Sequence, residues 1–189
     1  LRHAVRGGVY GGTGTPASTF RLPKGTWLVD TAVLGEDGVT RLVHPGVVLD
    51  RDRTVEADAR LGRPISIRPP ASDAALAGAA VVFQTRGPGG QVIDGGWLGK
   101  RLDRMFTAQL GPGRSYDGAL TMVTASWLGS DAYRLAWFRR GGMITGFDRA
   151  VTDKELAVLR RDYARHLPGA ELVAASVPWP RDGEVFSVH

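Results

Sequence analysis

Residues 19–69 alternate apolar and polar side chains, and turn-forming residues interrupt this alternation at short intervals. Because successive side chains of a β-strand point to opposite faces, a period of two predicts strands with one buried face. Residues 27–34 show the pattern clearly, and residues 39–43 return the chain after a turn at residues 35–38. An Asp-Gly pair in that turn supplies the positive φ that a hairpin tip requires. The stretch therefore predicts antiparallel strands, and it carries no recognisable catalytic motif.

The remaining chain continues in the same way, with short apolar runs separated by glycine-containing loops. The abundance of glycine (26) and proline (11) is typical of many short strands joined by turns. The fold class predicted is mostly β, with one or two antiparallel β-sandwich units. Further strands are predicted at residues 80–85, 104–110, 120–128, 133–138, 172–177 and 185–188.

An Ala-rich segment at residues 71–80, preceded by Pro69-Pro70, is a candidate domain boundary. It would separate a β-sandwich-like unit, residues 1–70, from a second β-rich unit with one helix, residues 71–189. The same segment can equally be a loop inside one continuous domain.

One segment has helical rather than strand periodicity. Thr152 and Glu155 have the spacing of a capping box, in which the Glu side chain reaches back to the first backbone N–H. Apolar residues then recur at helical spacing until Pro168-Gly169, a pair that ends helices. This pattern predicts one short helix near residues 153–166.

Composition narrows the function classes. The chain has no cysteine, which excludes disulfides, a thiol nucleophile and cysteine metal ligands. The formal net charge is +5, but the arginines are scattered, and the pairs Arg139-Arg140 and Arg160-Arg161 are too short to form a patch alone. We therefore expect no nucleic-acid partner. No apolar run approaches the ~20 residues that cross a bilayer, so we also expect no membrane partner.

Two stretches carry a family resemblance. The first, from LPKGTWLVDTAV to LVHPGVVLDRDRTVEADARLGRPISI, resembles a region found downstream of the catalytic domain in large secreted subtilisin-like serine peptidases of actinobacteria. The second, YRLAWFRRGGM followed by residues 151–153, resembles the later part of that region. Trp27 stands where that family usually has Tyr, and Glu56-Ala57 replaces a more apolar pair. The matching positions of the first stretch are Arg21, Pro23, Gly25, Leu49, Asp50, Asp52, Thr54, Val55, Asp58, Ala59, Arg60, Pro64 and Ile65.

The resemblance implies a non-catalytic accessory region of a secreted bacterial multidomain protein. Its partner would be the rest of the parent polypeptide or the parent's catalytic domain. No active-site residue is carried over, because the family's Asp, His and Ser lie in a domain that this chain lacks. The chain has neither an initiator Met nor a signal peptide, so we expect a fragment or mature product.

Hydrolase motifs are absent from the sequence. A nucleophile elbow requires Gly-x-Ser-x-Gly, and the sequence around Ser115 lacks the second glycine, so we predict a turn there. A triad assembled from distant residues stays open, since sequence alone does not exclude one. The histidines that could take part are His3, His44, His166 and His189.

No cofactor or metal is predicted. The best metal candidates are four carboxylates in one stretch, but neighbouring arginines offset their charge, and we expect a solvated turn with salt links. The GPGG and GPGR segments, residues 87–90 and 111–114, lack the Lys-Ser/Thr ending of a phosphate-binding loop and are predicted as plain loops. The four carboxylates are those of Asp50, Asp52, Glu56 and Asp58.

The five tryptophans fall into two groups. Trp27, Trp127 and Trp137 lie within apolar runs and are predicted to be core residues. Trp97, among glycines, and Trp179, between prolines, are the candidate ligand contacts. If such rings are exposed, they could stack on sugars, so a carbohydrate-binding module with a polysaccharide partner is the second hypothesis. An unrecognised hydrolase is the third.

Overall fold

The computed structural model describes residues 2–3, 17–87, 90–162 and 169. The described residues form ten strands and two short 3₁₀ turns, Ala59–Leu61 and Asp153–Glu155. The strands are β1 (Arg2–His3), β2 (Gly25–Gly35), β3 (Gly38–Leu49), β4 (Arg63–Arg68), β5 (Ala75–Arg86), β6 (Val92–Gly99), β7 (Met105–Gln109), β8 (Leu120–Leu128), β9 (Ala132–Arg140) and β10 (Phe147–Ala150).

The strands form two sheets. The larger sheet has the order β1-β2-β3-β7-β4-β10, and the smaller has the order β6-β5-β8-β9. Pairing is antiparallel except between β3 and β7 and between β4 and β10, which are parallel. The prediction of a mostly β, sandwich-like fold is confirmed.

The main hydrophobic core combines side chains from both sheets. Val43 and Ile65 of the larger sheet share one cluster with Val81, Phe83 and Val123 of the smaller sheet. The division of the chain into two domains at residues 70 to 80 stays a prediction. Strands β3 and β4 precede this segment in the chain, and they pair with β7 and β10, which follow it.

The outer face of the larger sheet is covered by the crossover between β3 and β4. Val55 and Ala57 of this crossover pack against buried Leu42 and Ala108. Their alternation with charged residues resembles that of a strand, but the segment is irregular and ends in the first 3₁₀ turn. Packing on a neighbouring sheet explains the alternation without any strand pairing.

A β-bulge interrupts the β2–β3 hairpin where the sequence places Pro45-Gly46. Trp27 pairs with Val47 and Val29 pairs with His44, so two residues of β3 oppose the single residue Leu28. Proline lacks a backbone N–H and is tolerated in a strand at such a position. The strand therefore continues through the predicted break, and the bulge sets the position of His44.

The helix predicted near residues 153–166 is limited, over the described residues, to the 3₁₀ turn Asp153–Glu155. Its capping interaction is present, because the Thr152 N–H donates to the Glu155 carboxylate at 2.9 Å. The backbone becomes extended at Leu156, and Val158 and Leu159 are 87% and 74% exposed. A short helix depends on packing of its apolar face, and these side chains lack such packing against the residues that the structure describes. Residues 163–166 lie outside the described part.

None of the described residues belongs to a helix long and apolar enough to span a membrane.

Candidate functional site

A cleft of about 300 Å³ opens at one end of the sandwich. One wall is the loop between β7 and β8, and the other is the end of β9 with the loop that follows it. Its polar lining consists of Gln109, Arg114, Ser115, Arg139, Arg140 and Thr145.

Hydrogen bonds tie the two walls together. The Gln109 side-chain oxygen accepts the Met143 N–H at 2.9 Å, and the Gln109 N–H donates to Thr145 Oγ1 at 2.9 Å. The Tyr116 N–H donates to the carbonyl of Gly141, also at 2.9 Å. The cleft is therefore held by the framework of both sheets rather than by one loop alone.

Gly141 brings the walls into close approach. Its φ is +82°, and a Cβ at this position would collide with Ser115 Oγ. Any larger residue would strain the backbone and displace the hydroxyl. The glycine thus allows Ser115 to sit directly against the loop that follows β9.

The charge of the cleft comes from arginines. Arg114 lies over the Tyr116 ring, with its guanidinium carbon 5.0 Å from the ring centroid, which holds it by a cation–π contact. Arg139 and Arg140 are the last two residues of β9. No Asp or Glu is among the described residues that line the cleft.

Six arginines outside the cleft are paired with carboxylates, and others, such as Arg63, Arg86 and Arg134, have no carboxylate partner among the described residues. Arg53, Arg60, Arg68 and Arg101 all have a carboxylate oxygen within 3.1 Å. Among the described residues, neither Arg114 nor Arg139 has such a partner. The cleft is therefore a local concentration of positive charge.

His44 lies behind this cleft and is the one histidine whose side chain the structure describes. Its Nδ1 accepts the Gly46 N–H at 3.3 Å, and its ring meets Tyr116 edge-on at 6.2 Å between centroids. On the Nε2 side the ring packs so closely against Gly111 that a Cβ there would overlap it. Within the described part of the chain, no hydrogen bond joins His44 to Ser115 or to a carboxylate.

Burial lowers the pKa of His44 below its ordinary value. A hydrogen bond with its own backbone opposes this shift, and the positive charge of Arg114 acts in the same direction as burial. His44 is therefore a neutral packing residue at pH 7, with Nδ1 already occupied as an acceptor.

The core tryptophans lie where the sequence predicts. Trp27 and Trp127 are buried, with 1% and 4% of their surface exposed. Trp137 packs against the main core and contacts Phe147 at 5.2 Å between ring centroids.

Of the two tryptophans predicted as ligand contacts, the structure describes Trp97. It lies opposite Val81 on β6, is half-buried and packs against the main core. A Cβ at Gly99 would collide with its indole ring, so one part of the ring covers that glycine. Trp179 lies outside the described residues.

The acidic stretch forms local ion pairs. Asp50 accepts from Arg53 at 3.1 Å, and Asp58 accepts from Arg60 at 2.7 Å. The Arg60 side chain lowers the pKa of Asp58 to about 2. Among the described residues, no three His, Asp or Glu side chains converge as a metal site would require.

A second opening, of about 420 Å³, lies beside Trp127 and the turn between β6 and β7. Its charged residues include Arg101 and Asp103, which pair with each other at 2.7 Å. Lys100 is the other charged residue of its lining, so this opening holds one cation beyond the Arg101–Asp103 pair, whereas the first cleft holds three arginines and no described carboxylate.

The cationic cleft was not predicted from the sequence. The Arg139-Arg140 pair is visible there, but Arg114 is far away in the chain and joins it only when β7 and β9 lie in facing sheets. The remaining signal was the absence of acidic residues within GPGRS and RRGGM.

Comparison with protein-family models, curated proteins and solved structures finds no match to this chain.

Proposed function

We propose that this chain is a non-catalytic accessory β domain of a secreted bacterial multidomain protein, with a subtilisin-like serine peptidase as the parent. It contributes to the stability of that parent or to its contacts with substrate or cell surface. The proposal rests on the resemblance of residues 21–65 to that family region and on the packing contacts of the His44 side chain.

The environment of His44 carries the non-catalytic part of the proposal. A general base needs a free ring nitrogen within hydrogen-bond reach of the nucleophile and a group that orients the ring. Nδ1 of His44 accepts the Gly46 N–H, and its Nε2 side is packed against Gly111. The groups that shift its pKa include a cation, Arg114, and no carboxylate. These contacts suit a structural role.

The catalytic question is tested with a serine-reactive fluorophosphonate and a panel of peptide, ester and glycoside substrates. We expect no covalent labelling and no turnover above background, for the wild-type chain and for Ser115→Ala alike. Labelling that disappears in Ser115→Ala would replace the proposal with the hydrolase hypothesis. Retention of the chain on insoluble polysaccharide, abolished by Trp97→Ala, would favour the sugar-binding hypothesis instead.

The accessory role is tested in the parent protein. The gene flanking this segment should encode a catalytic domain with the Asp, His and Ser of subtilisin-like peptidases. Deletion of the segment should shorten the half-life of peptidase activity on heating, while the initial kcat on a small peptide stays unchanged. A flanking region of another class would contradict the peptidase assignment.

A further inference from the structure

We propose that the cleft between Arg114 and Arg139 binds a tetrahedral oxyanion, a phosphate or sulfate group. The inference goes beyond the proposed function, since such a site needs neither a peptidase parent nor any catalytic step. It rests on the arrangement of charge, donors and backbone in the described residues.

The charge of the cleft favours an anion. Guanidinium groups bind phosphate and sulfate oxygens through paired N–H donors, and such charge-assisted hydrogen bonds are stronger than neutral ones. Arg114 and Arg139 have no carboxylate partner among the described residues, and both line the same cleft. Two guanidinium groups that line one cleft raise its positive potential, which favours an anion there.

Hydrogen-bond donors enter the cleft from separate elements of the fold. Arg114 comes from the β7–β8 loop, Arg139 from the end of β9, and the Ser115 hydroxyl from the point where the two walls meet. Donors that enter one cleft from separate elements of the fold can reach different oxygens of a tetrahedral group. A planar carboxylate presents its two oxygens in a single plane and would leave part of this set unused.

Existing contacts hold the lining of the cleft in place before any ligand binds. The Tyr116 ring holds Arg114, and hydrogen bonds from Gln109 and Tyr116 fix the two walls. Because these groups are already in place, little conformational entropy is lost on binding. Gly113 leaves open space at the cleft for a ligand, since a Cβ there would meet nothing within 4 Å.

The test is a titration of the ¹⁵N-labelled chain followed by NMR, using the backbone amides of Ser115 and Gly141 and the arginine Nε–Hε signals. The ligands are inorganic phosphate, sulfate, methyl phosphate and acetate, at constant ionic strength kept with NaCl. The variants are Arg114→Gln and Arg139→Gln. The matched control is Arg134→Gln, which removes the same charge from an exposed position of the same strand, about 17 Å away by strand rise.

We expect saturable binding of phosphate or sulfate by the wild-type chain and by Arg134→Gln. Each cleft variant should bind at least about tenfold more weakly, a change of ~1.4 kcal/mol. Binding of methyl phosphate as well would identify an ester group on a larger molecule as the ligand, and binding of inorganic anions alone would identify a free anion. Circular dichroism and Trp fluorescence would verify that the variants are folded.

Three results would overturn the proposal. One is a linear, unsaturated shift equal to that produced by NaCl. Another is equal affinity in Arg139→Gln and Arg134→Gln, which would mean that the arginines act only through net charge. The third is tighter binding of acetate than of phosphate and sulfate, which would assign the cleft to a carboxylate.

Discussion

The Arg41 guanidinium and the Asp30 carboxylate form an ion pair on the inner face of the larger sheet, where both side chains are about 15% exposed. Arg41 also donates to the carbonyl of Gly96 in the opposite sheet, so one side chain joins two strands of its own sheet to a strand across the sandwich. Asp30 Oδ1 and Arg41 Nε nevertheless have no hydrogen-bond partner among the described residues. The pair is therefore held in place but incompletely satisfied.

Removing one partner of this ion pair should lower the free energy of unfolding, whereas replacing both partners by apolar residues should lower it much less. Arg41→Met leaves a carboxylate in the sandwich without a counter-ion, and we expect a loss of about 3 kcal/mol in the free energy of unfolding. Asp30→Leu combined with Arg41→Met removes both charges and should recover most of that loss, because the native pair has unmet hydrogen bonds. Urea unfolding followed by Trp fluorescence measures both. A double variant no more stable than the single one would contradict this account.

A side chain at Gly95 should destabilise the fold because it would displace the Asp30–Arg41 ion pair. A Cβ there would overlap Asp30 Oδ2 and lie 2.8 Å from Arg41 Nη2, so Gly95→Ala must displace the ion pair. We expect a loss of about 1–3 kcal/mol, as for other overpacked sites. Gly78→Ala is the control: its Cβ meets nothing within 4 Å, and we expect its unfolding midpoint in urea to stay the same or rise slightly. Equal effects at the two positions would show that close approach is not the cause.

The Trp137–Phe147 contact should stabilise the edge of the sandwich that is formed by β9 and β10. The rings lie 5.2 Å apart at 54°, and they join β9 of the smaller sheet to β10, the edge strand of the larger one. Phe147→Ala should cost about 2–3 kcal/mol, and Phe147→Leu clearly less, since it retains apolar contact. Leu34→Ala, at a position 77% exposed, should be nearly neutral in the same urea experiment. A double-mutant cycle with Trp137→Leu that gives no coupling would contradict a direct contribution of the pair.

The pKa of His44 predicts a pH dependence of stability. Because this pKa is lowered in the folded state, the unfolded chain binds more protons just below pH 6.5, and stability falls as the pH decreases through that value. The contribution is fully present above pH 6.5, with a slope of at most about 1.4 kcal/mol per pH unit for one proton. His44→Gln should flatten the profile between pH 7.5 and 5.

A second variant identifies the cause of that shift. Arg114→Gln removes a positive charge that lowers the pKa of His44, so NMR titration of the imidazole should give a higher pKa than in the wild type. Arg134→Gln should leave it unchanged. Parallel stability profiles for His44→Gln and the wild-type chain would contradict the assignment to His44.

The fold class was predictable because burial leaves a local pattern. In β5, Val81 and Phe83 face the main core while Ala80 and Val82 form a second buried cluster, and the sequence accordingly shows a continuous apolar run. The β2–β3 hairpin was predictable from alternation and its Asp-Gly turn. These features depend on residues that are close together in the chain.

Features that depend on distant residues were missed. Strand β6 contains Gly95, Gly96 and Gly99, which resemble a loop in sequence, yet Gly95 is required by an ion pair from the opposite sheet. Parallel pairing of β3 with β7 leaves no sign in either strand. The helix near residues 153–166 had a sound capping signal, but Leu159, one of its apolar positions, is 74% exposed in the described part. Of the candidate cleft, the sequence showed the arginine pair of β9 but not its assembly with Arg114.

The parallel pairs have a consequence for biosynthesis. Val39 pairs with Met105 and Ile65 pairs with Phe147, so β3 and β4 emerge from the ribosome long before the strands that complete their edges. At translation rates of about 5–20 residues per second, each edge stays open for several seconds. During that interval the nascent hairpin offers an unpaired strand to any other nascent chain. Dense polysomes or slow codons between β4 and β7 would therefore favour aggregation of this protein without changing the stability of its finished fold.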